Sequence, residues 1–329
     1  MKEILLKIVP IIFISFAIYL IIAAVLIIIN GKPKENISKQ RALAFDELVI
    51  DYTELPPLNS YSCRDGMELN YRYYPAQTNK VLVLLHGSGW HSKYFLPLAK
   101  YISSENLAQV YTPDLRGHGI SPIKRGDIDY INQLEDDLAD FVSILKKEHP
   151  NSTLIIGGHS SGGGLAIRFA GSEYNKYVDA YLLLSPFLKY NAPTVKLNSG
   201  GWASAHIPRI SGLSMLNNVG ISWFNYLKVI DFNMPEAYRD GTETLSYSYR
   251  LNTGFAPRNY KKDLRAMTQK CLVVVGKSDE SFIAEAYEPE MSKYKKDVNV
   301  KLLDSVTHMG VVMGEEVRPI IKKWITELK

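Results

Sequence analysis

The sequence predicts a mostly parallel β-sheet covered by helices on both faces, with an inserted helical cap and one transmembrane helix in front of it. Three observations lead there. Short runs rich in Val, Ile and Leu alternate with amphipathic helical stretches, as expected when strands are buried on both faces. One aromatic-rich interval breaks that rhythm. An uncharged apolar run lies within the first thirty residues.

The chain has 329 residues, 46% of them hydrophobic, enough to bury a full core in one large domain plus an appendage. Its formal charge of +4 is small and its basic residues are scattered, so no nucleic-acid partner is expected. Two cysteines, Cys63 and Cys271, are too few for a disulfide framework or a zinc cluster, and neither a metal nor a cofactor is expected.

Residues 8–29 read IVPIIFISFAIYLIIAAVLIII, which at about 1.5 Å per residue spans a hydrocarbon core of about 30 Å. A secretory signal peptide has an apolar region of about 7–15 residues ending in small residues. Here isoleucines continue to Asn30, which favours an uncleaved anchor over residues 1–30 and a single-pass location in the cell membrane. Pro10 falls in the first turn of the run, where a missing N–H costs little. Lysines flank both ends, so the charge rule does not fix orientation; a short basic N-terminus before a long domain points to an extracytoplasmic domain. A polar linker over 31–45 follows, and the globular domain is read as 46–329.

YSCRDGMELNYRYYP, from Tyr61, reads as two alternating strands around an Asp65-Gly66 turn. Strand signals then recur at VLVLLHG from Val81, AQVYTPD from Ala108, TLIIGG from Thr153, DAYLLLSP from Asp179, CLVVVGKSD from Cys271 and VNVKLLD from Val298. Helical stripes lie between them, for example Leu134, Leu138, Phe141, Val142 and Leu145. Residues from about 187 to 262 hold no strong strand but many aromatic residues, from Trp202 to Phe255. That length is too great for a loop in a compact domain and is read as a helical cap, whose aromatic rings form an apolar roof.

Gly158-His159-Ser160-Ser161-Gly162 fits G-x-S-x-G between a strand and a helix, the setting of a nucleophile elbow with Ser160 as nucleophile. Such a turn crowds the residues two before and two after the serine, and Gly158 and Gly162 are small enough. Gly163 and Gly164 let the helix approach the sheet. Alone, the pattern could be a glycine-rich turn. A serine also needs a base and an orienting acid, in the chain order serine, acid, histidine. Only His206 and His308 follow Ser160; His206 belongs to the cap, whereas His308 follows the last strand. Asp279 lies just past a strand end, where sites in parallel sheets assemble, although it could simply cap a helix from Phe282. Glu280 and Asp304 are rival acids. The oxyanion hole is assigned to the backbone N–H groups of Ser161 and Ser88, with Gly89 as the neighbouring alternative. His86 and Gly87 shape that turn, and Asp114, Arg116 and His118 brace another beside it.

HGSGW, DLRGHG, GHSSGG, GKSD and VTHMG, in this order, resemble the α/β-hydrolase superfamily, in its monoacylglycerol lipase, lysophospholipase and serine aminopeptidase-like branch, over roughly residues 60–329. The resemblance implies an α/β-hydrolase fold of eight strands with the cap after strand six, and acyl transfer through Ser160. That fold would set Cys63 and Cys271 near opposite sheet edges, too far apart for a disulfide. The expected activity is that of a membrane-anchored serine hydrolase cleaving carboxylic esters, with monoacylglycerol or lysophospholipid as the leading substrates. An acyltransferase or peptidase would share the acyl-enzyme, and a non-catalytic binding protein could keep the fold alone.

Overall fold

The computed structural model describes residues 2–29, 43–120 and 122–328. Helix α1 (Lys2–Ile28) contains the apolar run and precedes an eight-stranded sheet. In chain order the elements are β1 (Leu58–Ser62), β2 (Glu68–Tyr74), β3 (Lys80–Leu85), α2 (Leu96–Ser104), β4 (Gln109–Pro113), α3 (Gln133–Glu148), β5 (Thr153–His159), α4 (Ser161–Ala170) and β6 (Ala180–Leu184). The cap contributes β7 (Ala203–Ala205), α5 (Ile207–Asn218), β8 (Lys228–Phe232), β9 (Ser246–Ser248), α6 (Tyr249–Phe255) and α7 (Tyr260–Ala266). The sheet resumes with β10 (Lys270–Gly276) and β11 (Asn299–Leu303), separated by α8 (Tyr287–Met291); α9 (Gly310–Met313) and α10 (Arg318–Thr326) close the chain.

The sheet order is β1-β2-β4-β3-β5-β6-β10-β11. Only β2 opposes the others, pairing antiparallel with β1 and β4. From β4 to β11 every pairing is parallel. The central strands are covered on both faces: Val81, Leu82, Val83, Leu84 and Leu85 are all buried, as are Ala180 to Leu184. This two-sided burial is why these strands read as continuous apolar runs rather than alternating ones. All the parallel strands deliver their carboxyl ends to one edge, and the candidate site lies there.

Two sequence expectations change. The cap is not purely helical, because β7, β8 and β9 form a separate three-stranded antiparallel sheet. The linker ends earlier than residue 45: 31–42 lie outside the described residues, whereas Leu43, Ala44 and Phe45 are already buried against the domain. Both cysteines are buried and unpaired, Cys63 after β1 and Cys271 on β10. Burial pushes the Cys271 thiol up to about 12.

Candidate active site

Ser160 occupies the turn between β5 and α4 with φ 53° and ψ −120°, a conformation that ordinary side chains rarely adopt. The surroundings hold it there. Its N–H donates to Leu184 O on β6 (3.0 Å), and its carbonyl accepts from Gly164 N (3.1 Å) and Phe187 N (2.9 Å). The turn is possible because Gly158 and Gly162 touch: a Cβ on Gly158 would stand 2.3 Å from the Gly162 carbonyl, and one on Gly162 would stand 2.0 Å from Leu85 O. Ser160 is 9% exposed and lines a small cavity.

His308 sits after β11, and Asp279 sits after the neighbouring β10. The imidazole Nδ1 and Asp279 Oδ2 are 2.8 Å apart, both buried. The other oxygen, Oδ1, accepts the backbone N–H groups of Ser281 and Phe282, each at 2.9 Å. One carboxylate oxygen thus faces the imidazole and the other closes the turn after Asp279; no helix starts at Phe282, and the next two have Ile283 and Ala286 at their N-caps. Burial alone would raise the Asp279 carboxyl, but the charge and hydrogen bond of His308 hold it below the usual carboxylate value. For His308 burial pulls the other way, downward, and Asp279 overrides it to leave the imidazole above 6.5.

The rivals lie elsewhere. Glu280 Oε2 accepts from the His308 backbone N–H (2.9 Å), bracing the loop rather than the ring. Asp304 pairs with Lys277 on the surface, and His206 pairs with Asp231 within the cap.

In the loop after β3, Gly87 N–H donates to Tyr94 Oη (2.7 Å) and Gly89 N–H to Tyr247 Oη (2.8 Å). Gly89 is thereby committed to a cap residue, and among the described residues nothing accepts from Ser88 N–H. Ser88 Oγ lies 2.6 Å from Ser161 Oγ. Ser161 is the first residue of α4, where backbone N–H groups lack an intrahelical acceptor. His86 accepts from Leu115 N at Nε2 (3.0 Å) and so donates from Nδ1 to Gly87 O (2.9 Å). Burial lowers its pKa to about 4, which fixes it as a neutral brace between two loops. Asp114 accepts from Ser92 N, Arg116 pairs with Asp137, and His118 meets Tyr247 Oη at 2.6 Å.

A relay that sequence reading missed joins these loops. His159 Nε2 donates to His308 O (3.0 Å), which leaves Nδ1 to accept from Tyr94 Oη (3.0 Å), and Tyr94 in turn accepts from Gly87 N. The loop after β3, the turn that holds Ser160 and the loop that carries His308 are thus one connected network. His159 carries it from the variable position of the G-x-S-x-G motif.

The cavity is lined by Ser160, His308, Gly87 and Ser88 together with Trp90, Met309, and the cap residues Trp202 and Met234. The expected aromatic roof shrinks to Trp202: Phe232 stacks behind it at 5.2 Å, and Trp223, Phe224 and Tyr226 are exposed. Tyr94 and His159 complete the floor, and one further wall, Leu43, Phe45 and Leu48, comes from the segment before β1. The sequence reading leaves Leu43 and Phe45 inside the polar linker and singles out no residue of this wall.

Residues 76–312 match the profile of the family described as serine aminopeptidase, S33. The chain belongs to that family of α/β-hydrolases. It is 29% identical over 167 residues to the monoglyceride lipase of Rattus norvegicus, covering 49% of this chain and 54% of that protein. The chain therefore spans about half the length of that mammalian relative. The monoglyceride lipase homolog of Monkeypox virus is 24% identical over 279 residues, covering 81% of this chain and 96% of the viral protein. Among solved structures, a soluble variant of monoglyceride lipase from Saccharomyces cerevisiae in complex with a substrate analog superposes with a TM-score of 0.65 at 17% identity, over 86% of this chain and 98% of that one. This last likeness establishes the fold alone.

Proposed function

We propose that this α/β-hydrolase is a membrane-anchored serine hydrolase of carboxylic esters. The observation that carries the reading is the buried Asp279–His308 pair, which borders the same cavity as a serine held at positive φ. With Nδ1–H donated to Asp279, His308 presents an unprotonated Nε2. Nε2 takes the Ser160 hydroxyl proton as Oγ bonds to the ester carbonyl carbon. The N–H groups of Ser88 and Ser161 hold the resulting oxyanion. The intermediate collapses, His308 returns the proton to the departing alcohol, and water repeats the sequence to release the acid and restore Ser160. These steps draw on no cofactor.

The apolar lining of the cavity favours an acyl group over a charged peptide side, and this chemistry supports lipid esters such as monoacylglycerol or lysophospholipid as substrates once the lining gives way. The likeness to monoglyceride lipases supports the same choice. Anchoring is supported by the uncharged, largely exposed helix Val9–Ile28. The cap helix α5 packs along its C-terminal half: Tyr19 Oη donates to Met215 O (2.9 Å), and a Cβ on Gly212 would fall 2.6 Å from Ala23 O. Such an arrangement would hold the cap against the lipid that supplies the substrate.

A fluorophosphonate probe tests the chemistry. The wild type should label and Ser160→Ala should not, with the fold unchanged by melting temperature. Equal labelling of both would remove Ser160 as nucleophile. Retention in the membrane pellet after alkaline carbonate extraction tests the anchor independently, and release into the supernatant would contradict it.

A further inference from the structure

The cavity beside Ser160 measures about 20 Å³, room for about one water molecule. A fatty acyl chain cannot enter it as it stands. What fills the space is informative, because Leu43, Phe45 and Leu48 belong to neither the sheet nor the cap but to the short segment between the anchor and β1. Phe45 is buried, with its ring centroid 5.5 Å from Trp202 and 5.7 Å from Tyr238, both of the cap.

The segment is held differently from the strands that lead to Ser160, Asp279 and His308. Its backbone bonds are local turns, Phe45 N to Leu43 O, Glu47 N to Ala44 O and Val49 N to Asp46 O, and it adds no strand to the sheet. Its polar tie to the catalytic loop is Thr307 Oγ1, which donates to the Glu47 carboxylate one residue before His308 (2.8 and 2.9 Å). Side-chain burial, rather than a ladder of backbone bonds, keeps it in place. Such a segment can leave without breaking the sheet.

We propose that Phe45, flanked by Leu43 and Leu48, is the specificity-determining residue of the acyl site, occupying the space that a long acyl chain must enter. In the closed arrangement only short acyl groups reach Ser160. Longer chains react when Phe45 has been displaced, and the energy of that displacement sets the chain-length profile. This inference rests on the serine-hydrolase reading above.

The test uses the full-length protein in detergent, with two fluorophosphonates differing only in alkyl length, ethyl and dodecyl, each used below its aggregation concentration. The observable is the ratio of their labelling rate constants at Ser160. Phe45→Ala should raise the dodecyl-to-ethyl ratio at least tenfold, and Phe45→Trp should lower it. Phe45→Leu, which keeps an apolar side chain, should fall between wild type and Phe45→Ala, so that it and Phe45→Trp decide the matter if Phe45→Ala does not fold. A residue important only for stability would change both rate constants together. An unchanged ratio across the folded variants overturns the proposal while leaving the hydrolase reading intact. Failure of the wild type to label with either probe overturns both.

Discussion

The edge of the sheet that carries Ser160, Asp279 and His308 and the roof above it are held by different forces. At the sheet edge Ser160 and Asp279 follow β5 and β10, strands whose backbones are paired on both sides, and His308 follows β11, the edge strand paired to β10. The roof is assembled from Trp202 and Met234 of the cap and Phe45 of the N-terminal segment, which meet through side-chain packing. Catalysis tolerates little error in position, whereas an acyl pocket must admit a flexible chain. In the proposed function the rigid region carries the chemistry and the deformable region the selection.

The largest expected effect falls on the rigid side. Asp279→Asn should lower kcat by about four orders of magnitude, as loss of the orienting carboxylate does in other triads. It should also move the pH profile in a defined direction. His308 must be neutral to accept a proton, and Asp279 holds its pKa above 6.5, so wild-type kcat/KM should fall as pH drops through a value above 6.5. Without the carboxylate charge, burial prevails and the residual activity should lose its acid limb to lower pH. An unmoved limb would mean that another group sets it. The folding linkage has the opposite sense: a raised imidazole pKa stabilises the native state below the unfolded value, and that gain is lost as pH rises through the folded value.

Next in size is a packing test of the elbow. Gly162→Ala puts a methyl group into the Leu85 carbonyl and should cost about 3 kcal/mol or more, read as a lower denaturant midpoint together with loss of labelling. Smallest is a paired comparison between the two regions. Tyr94→Phe breaks the relay from Gly87 to His159 and should lower kcat about tenfold for all acyl lengths alike. Trp202→Ala, in the roof, should instead change the ratio of long-chain to short-chain kcat/KM. If Tyr94→Phe altered the ratio and Trp202→Ala did not, the division between the regions would be wrong.

How legible each region was in the sequence follows from the same contrast. Ser160 and Asp279 are legible as candidate site residues because a buried strand leaves a continuous apolar run that ends at the site edge, whereas β11 before His308 is half-exposed and alternates, so His308 is read from its place after the last strand. The cap sheet was missed because β7 and β9 are three residues each, too short to show a period. The Tyr94–His159 contact joins residues 65 apart in sequence, and no local pattern announces it. Phe45 was assigned to the linker because its partners, Trp202 and Tyr238, lie far along the chain. Aromatic content suggested a roof from the cap alone, yet Trp223 and Tyr226 point to the outside and an N-terminal residue fills the space.

The central claim is that one serine is activated by one buried histidine–aspartate pair, and intact-protein mass spectrometry with peptide mapping after fluorophosphonate treatment tests it most directly. Wild type should gain a single adduct on Ser160, at a rate that rises with pH through a pKa above 6.5, and His308→Ala should gain none over the same interval. An adduct on any other residue, or labelling of His308→Ala at the wild-type rate, would contradict it.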